Sequence, residues 1–455
     1  MDTKKTSIFL FIKKKSSIIT KQLGLDRVVF TSVSGQLLTL VTGPITLYFI
    51  GTFFSKIEQG YYYTFASVLA LQSFLELGLG QCITNVASHE FANLQFEKNG
   101  RIYGDSYSQH RLISLTRLSI KWYSVISVLF FVLVGTGGYL FFSFQTNYGI
   151  QWAIPWWSLC FVSGINIITL PILSLLEGCN QYLWIAYTRI IIKIGGIALV
   201  WLSITNGAGL YTASLSTLIT LLLFVILFYR KWKGFLQQVY TENITTSISW
   251  KEEIFPFQWR IAVGWVCGYF TFGLFNPVLF AFQGPVVAGQ MGMTMVITSS
   301  LANVASTWGY VKVSTFGMLV SKKKWIDLDE LWIKSTIQSL IIAIIGSVFF
   351  LITMVYIKQF TFGDRFLGYK EIAVLCVATI INQIIFSQNL YMRAHRKEPF
   401  LKLFILNAIL TGSAVYLSGR YFNVFAVCVV YCFFITLAMV LASSIFIRRK
   451  KEWHV

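Results

Sequence analysis

A dozen apolar stretches of membrane-crossing length run through this 455-residue chain, and the short hydrophilic gaps between them alternate between strongly basic and nearly charge-free. A helix crossing a hydrocarbon layer about 30 Å thick needs roughly 20 apolar residues at about 1.5 Å each. Backbone polar groups in lipid must be satisfied within the segment, so helices are the expected element. Charged residues are only 12% of the chain and hydrophobic ones 56%, against about 25% charged in an ordinary globular domain. These runs dictate an all-α polytopic membrane protein.

Spans are expected near 28–51, 61–86, 117–142, 153–177, 183–204, 208–229, 259–283, 286–311, 333–357, 371–392, 400–418 and 421–447. The alternating charge orients them. With the first 27 residues inside, thirty of the 37 basic residues fall at cytoplasmic ends; only Lys56, Lys358, Arg365, Lys370 and Arg420 fall outside. Such a positive-inside bias predicts about twelve spans with both termini cytoplasmic. The formal charge of +19 sits at membrane edges, which suits anionic lipid rather than nucleic acid. The N-terminal segment is polar and basic, unlike a cleaved signal, so no processing is expected. Seven cysteines lie in or beside apolar runs with no CxxC pair; small core residues, not metal ligands or disulfides, are the expected role.

The gap from 230 to 258 divides the chain into a lobe at 28–229 and a second at 259–447, six spans each, between a basic segment at 1–27 and a tail at 448–455. A weak repeat supports two like-oriented lobes: Pro44 and Gly51 in span one match Pro277 and Gly284 in span seven, with Phe49 matching Phe282. Downstream, Gln59-Gly60-Tyr61 and Ala288-Gly289-Gln290 open the next spans. Pro44 and Pro277 are read as helix-bending sites. The KKKWIDLDELW segment at 322–332 reads as a surface amphipathic helix or a solvated loop. Trp152, Trp156 and Trp157 read as interfacial anchors or as a sugar-stacking platform.

No HExxH, GxSxG or Walker sequence is present, and the short outer loops leave no room for an extracytoplasmic catalytic site, so no enzyme is expected. The informative residues are charges inside spans, where Lys or Arg costs about 2.5–3.5 kcal/mol or more. Arg189 and Lys193 lie about 9 Å and about 15 Å below the inner edge if span five begins near Leu183. Four residues apart, they share one helix face, expected to line a cavity unless they form a structural ion pair. Glu76 in span two is their acidic counterpart, binding a coupling Na⁺ or H⁺ or neutralising Arg189 or Lys193. Glu177 reads as an interface charge. Arg117, Lys121 and Arg260 sit near inner helix ends and would make the inner half of a cavity cationic, concentrating an anionic ligand.

Gly51 with Gly60-Tyr61, the Glu76-Leu-Gly-Leu run, Leu175-Leu-Glu-Gly178 with Asn180, Gly207-Ala-Gly-Leu-Tyr211, and Tyr391-Met-Arg-Ala-His-Arg-Lys-Glu-Pro399 together resemble the Wzx-type polysaccharide flippases. Their superfamily also holds the MATE exporters and the peptidoglycan-precursor flippases. The resemblance covers the whole chain. It implies two six-helix lobes around a central cavity and alternating access. It also implies transfer of a polyprenyl-pyrophosphate-linked oligosaccharide to the outer leaflet for O-antigen, capsule or exopolysaccharide synthesis. Membrane lipids and the polysaccharide polymerase and assembly proteins would be its neighbours, with no cofactor. Related flippases also carry cations in spans one and two, where this chain offers only Arg27 at the inner edge. Arg189 and Lys193 suit pyrophosphate by depth and face. The alternative is a MATE-type cation-coupled multidrug exporter, expected to hold buried carboxylates.

Overall fold

The computed structural model describes residues 27–97, 99–145, 148–395 and 397–453; the basic segment before Arg27 lies outside the described residues. Helices occupy all twelve expected positions. Spans one to six run through Arg27–Phe53, then Lys56–Leu69 with Gln72–Glu76 and Leu79–Phe91, Ser106–Leu129 with Gly135–Ser143, Ala153–Ile167 with Leu170–Gly178, Tyr182–Thr205 and Tyr211–Thr241. Spans seven to twelve run through Phe255–Phe272 with Phe275–Gln283, then Pro285–Tyr310, Trp325–Ile357, Tyr369–Ala394, Leu401–Tyr421 and Val424–Trp453. Among the described residues nine helices are long and apolar enough to cross a membrane, ten if the bent pair of span two counts as one. In span one the described apolar part is Val41–Phe53. Span eight, at 26 residues, is diluted by Gly, Gln, Thr, Ser and Asn.

The two halves pack alike, span for span. Span one lies on five, five on six, two on four, and four on six; correspondingly seven lies on eleven, eleven on twelve, eight on ten, and ten on twelve. This is the packing of a parallel six-helix repeat. The lobes meet mainly where span two lies against span eight, with span seven beside it.

Several breaks differ from the expected continuous helices. Pro44 does not divide span one, which is helical from Arg27 to Phe53. In span seven the helix stops at Phe272 and resumes at Phe275. Pro277 has no N–H to give the Gly273 carbonyl four residues back, so the break falls there. Span two, expected as one helix, bends by 46° between Glu76 and Leu79. Span three carries a π-turn at Phe130–Val134.

Three further expectations are corrected. The 322–332 segment is neither a loop nor a separate surface helix, because the helix of span nine already begins at Trp325. The inter-lobe segment from residue 230 starts as a continuation of span six to Thr241, kinked at Trp232. Its Gln238 side chain takes both backbone groups of Ile102, at 2.7 and 2.9 Å, and so docks a small hairpin, Leu94–Phe96 against Ile102–Gly104. Trp156 is core rather than interfacial: it is fully buried and its indole N–H donates to the Gly135 carbonyl at 2.9 Å. The cysteines are free thiols, all buried except the half-buried Cys432.

Arg111 ties the inter-lobe segment to the first lobe. It donates to Glu90 at 2.7 Å and to Glu253 at 2.5 Å. Burial pushes the Glu253 carboxyl up, but the hydrogen bond and charge of Arg111 and the Ser249 N–H outweigh it and hold it below the usual carboxylate range. The stabilisation from Glu253 is complete above the carboxyl's ordinary value and is lost as pH falls through the lowered one. Arg111→Ala leaves two carboxylates unpaired and is expected to cost about 1–3 kcal/mol, read as a lower thermal midpoint at neutral pH. The deficit is expected to shrink once the medium is acidic enough to protonate Glu253.

Candidate functional site

The two cations within span five part company. Lys193 stands near the middle of the 24-residue Tyr182–Thr205 helix and points at span one, where its ammonium donates to the Gly35 carbonyl at 3.2 Å and to the Thr39 hydroxyl. Both acceptors are neutral, and among the described residues it has no carboxylate partner. Arg189, one turn earlier, instead pairs with Glu177 at the end of span four, at 2.5 Å. Its side chain remains 61% exposed, a geometry in which an ion pair is worth little. Lys193 therefore carries an uncompensated charge, and Arg189 a half-compensated one.

Glu76 pairs with neither cation. Its carboxylate accepts from the Gln72 side chain of its own helix, and among the described residues it has no cationic partner. It ends the Gln72–Glu76 helix. The next two residues are left-handed, Leu77 at φ 48° and Gly78 at φ 70°. Leucine rarely adopts that region, and such strain persists only where the surroundings impose it. Span seven packs against this break: a Cβ on Gly78 would lie 2.2 Å from the Ile261 side chain. The break thus places Glu76 beside the inner start of the second lobe.

The remaining expected cations are dispersed. Arg117 donates to the Val239 and Glu242 carbonyls, each at 2.6 Å, and so caps the free C-terminal carbonyls of the Tyr211–Thr241 helix. The guanidinium thus has a structural task at the inner end rather than a place in a cavity. Lys121 is exposed. The side chains of Arg27 and Arg260 lie outside the described residues.

Charge is distributed unequally between the lobes. Residues 261–311, 335–357, 372–392, 403–419 and 421–447 hold no Asp, Glu, Lys or Arg. The interior of the second lobe is therefore uncharged, and the deep charges Glu76, Arg189 and Lys193 all belong to the first.

A second functional element was not singled out as one from the sequence: the closure of the lobes at the end that the charge bias assigns to the outside. Hydrogen bonds between the lobes converge on residues 54–67. Gln59 donates to the Gly289 carbonyl at 2.9 Å and to the Arg365 carbonyl at 3.0 Å. Arg365 donates to the Phe54 carbonyl at 2.6 Å, Lys56 pairs with Asp364 at 3.1 Å, and Asn276 donates to Ser67 at 3.1 Å. Beneath them two backbones touch. A Cβ on Gly60 would lie 2.0 Å from the Pro285 carbonyl oxygen, and one on Gly289 would lie 2.9 Å from the Gly60 nitrogen. Gly60 and Gly289 are the repeated glycines of the sequence. Equivalent residues that contact each other lie on the axis relating the repeats.

No protein-family profile matches the chain, and no curated protein matches it. Solved structures do match along nearly its whole length. A multidrug resistance MATE family transporter of the MOP superfamily, in an inward-facing conformation, aligns with TM-score 0.63 at 11% identity, covering 90% of this chain and 98% of that one. A MOP superfamily transporter from Pyrococcus furiosus, described as having a binding pocket of reverse polarity that suggests a different function, aligns with TM-score 0.57 at 13% identity, covering 93% and 94%. MATE in complex with MaL6 aligns with TM-score 0.54 at 13% identity, covering 94% and 95%. The chain has the two-lobed fold of these proteins.

The outer closure is directly testable. Cysteines at positions 56 and 364 are expected to crosslink readily in the otherwise unchanged protein. Adding Gly60→Val, which drives a branched side chain into the Pro285 carbonyl, is expected to reduce that crosslinking several-fold by forcing the lobes apart. Undiminished crosslinking would show that the close glycine contact does not hold this end shut.

Proposed function

We propose that the protein is a flippase that moves a polyprenyl-pyrophosphate-linked oligosaccharide from the inner to the outer leaflet by alternating access, for assembly of a cell-surface polysaccharide. The observation that carries this reading is Lys193. A mid-membrane ammonium satisfied only by a backbone carbonyl and a threonine hydroxyl is energetically costly, and an anionic group entering from the inner side would repay that cost. Pyrophosphate accepts strong charge-assisted hydrogen bonds. Arg189, held by Glu177 but mostly exposed, is placed to meet the same anion earlier on its path.

The two-lobed fold, shared with known transporters, supports movement of the lobes about their contact. Separating the outer ends of spans two and eight would expose a central site to the outside. On this reading the protein lies in a bacterial inner membrane with both termini cytoplasmic, works without a cofactor or catalytic step, and hands its cargo to polymerase and assembly proteins. Glu76, at a helix break and without a cationic partner among the described residues, is the candidate site for a coupling Na⁺ or H⁺.

A cation-coupled drug exporter is the competing reading, and the same unpaired Glu76 favours it. Against it stands the charge-free interior of the second lobe, which offers a cationic drug no carboxylate.

Lys193→Ala is expected to abolish surface polysaccharide while membrane levels of the protein stay normal, and Lys193→Arg is expected to retain part of the activity. Arg189→Ala is expected to have the smaller effect, since Glu177 already holds that side chain. Normal polysaccharide in the Lys193→Ala/Arg189→Ala double variant would rule out the anion role. If the chain instead confers Glu76-dependent resistance to cationic dyes, the exporter reading stands.

A further inference from the structure

Inside the second lobe, spans seven, eight, ten, eleven and twelve enclose a cavity of about 350 Å³, within the range of small-molecule sites, about 300–1,000 Å³. Span ten lines it with Thr379, Asn382, Gln383, Phe386 and Asn389, whose spacing of three and four places them on one helix face.

Polar groups inside a membrane bundle commonly serve to join helices, and some of these do. Gln383 donates to the Ala302 carbonyl at 3.0 Å and accepts from Ser306 and Ser339 at 3.2 and 3.1 Å. Its oxygen and one amide hydrogen are engaged in joining helices, a structural task. Others are left open. Asn389 has no hydrogen-bond partner among the described residues. Asn407 is only 9% exposed; its oxygen accepts from Thr411 at 3.3 Å while its amide nitrogen donates to nothing described. Asn382 donates to the Tyr431 hydroxyl at 3.1 Å and keeps its own oxygen free. The open donors and acceptors of these carboxamides, reachable from the cavity, are free to hydrogen-bond something polar that enters it.

The chemistry narrows what that is. The lining holds no Asp, Glu, Lys or Arg, which leaves nothing to neutralise an anion, and the amide donor of Asn407 opposes a bare cation. What matches donors and acceptors mixed on one wall is a neutral ligand whose groups both donate and accept, as hydroxyls do. The faces of Phe272, Phe386 and Phe404 suit the apolar C–H side of a sugar ring.

We infer that the uncharged cavity of the second lobe is a saccharide subsite that takes neutral sugar of the transported molecule, while the first lobe takes its pyrophosphate. The inference rests on the flippase reading and adds to it a division of labour between the lobes. It also makes the second lobe the part that discriminates one glycan from another.

The test compares two ligands on the full-length protein in lipid nanodiscs: synthetic undecaprenyl pyrophosphate, and the lipid-linked oligosaccharide extracted from the host's own membranes. Two variants remove the open carboxamides while keeping the same branched shape and number of heavy atoms, Asn389→Leu alone and Asn389→Leu with Asn407→Leu. The double variant is expected to bind the sugar-bearing lipid at least about tenfold more weakly and the single variant to show a smaller loss in the same direction. Both are expected to bind the sugar-free lipid normally, which also reports that they are folded. Lys193→Ala is expected to weaken both ligands. Equal binding of the sugar-bearing lipid by wild type and both variants, or equal weakening of both lipids, would overturn the saccharide subsite while leaving the flippase reading intact. Failure of the wild-type protein to bind either lipid would overturn the flippase reading itself.

Discussion

Everything else in this molecule hangs on the contact between spans two and eight at Gly60 and Gly289. There is no side chain between the two backbones, so the helices approach closely enough for van der Waals attraction, the principal force available between helices in lipid. A methyl group on Gly60 would meet a carbonyl oxygen at 2.0 Å. The surrounding hydrogen bonds from Gln59 and Arg365 fix the register of the closed end without adding bulk. Because the contact joins equivalent positions of the repeat, it engages both lobes alike.

Against that symmetric frame the chemistry is asymmetric. The packing of spans one, five and six is echoed by seven, eleven and twelve, yet deep charge is confined to the first lobe and open carboxamides line a cavity of the second. Duplication with divergence explains how one helix arrangement comes to present two kinds of surface. Packing depends on the size and spacing of apolar and small residues, which both halves retain, whereas the polarity of a cavity wall depends on a handful of positions that packing does not constrain.

The local breaks follow the same logic. Pro277 interrupts span seven because its missing N–H leaves the Gly273 carbonyl free, while Pro44 is absorbed in a continuous helix. Leu77 and Gly78 turn left-handed where span seven packs against the break. A break after Glu76 has no proline to announce it, so it arises from tertiary packing rather than local preference.

Sequence alone determined the class of fold, the positions of the twelve helices, the likeness of the two halves and the place of Arg189 and Lys193 within one apolar helix. Each of these follows from hydrocarbon thickness, helix rise and the cost of burying charge, which act on every residue irrespective of its neighbours. What only the tertiary structure decided was pairing. Arg189 and Lys193 share a helix face, yet Glu177 reaches one and Thr39 the other. Glu76, the natural partner by charge, is turned away by a bend. Arg117, read as a cavity cation, caps the end of span six. The repeated glycines were legible as a weak match, but that they touch each other, and that Asn389 and Asn407 keep open hydrogen-bonding groups while Gln383 is tied to Ala302, Ser306 and Ser339, depends on how helices distant in sequence are rotated against one another. Rotation is set by the sum of many small packing contacts, and no single residue or spacing records it.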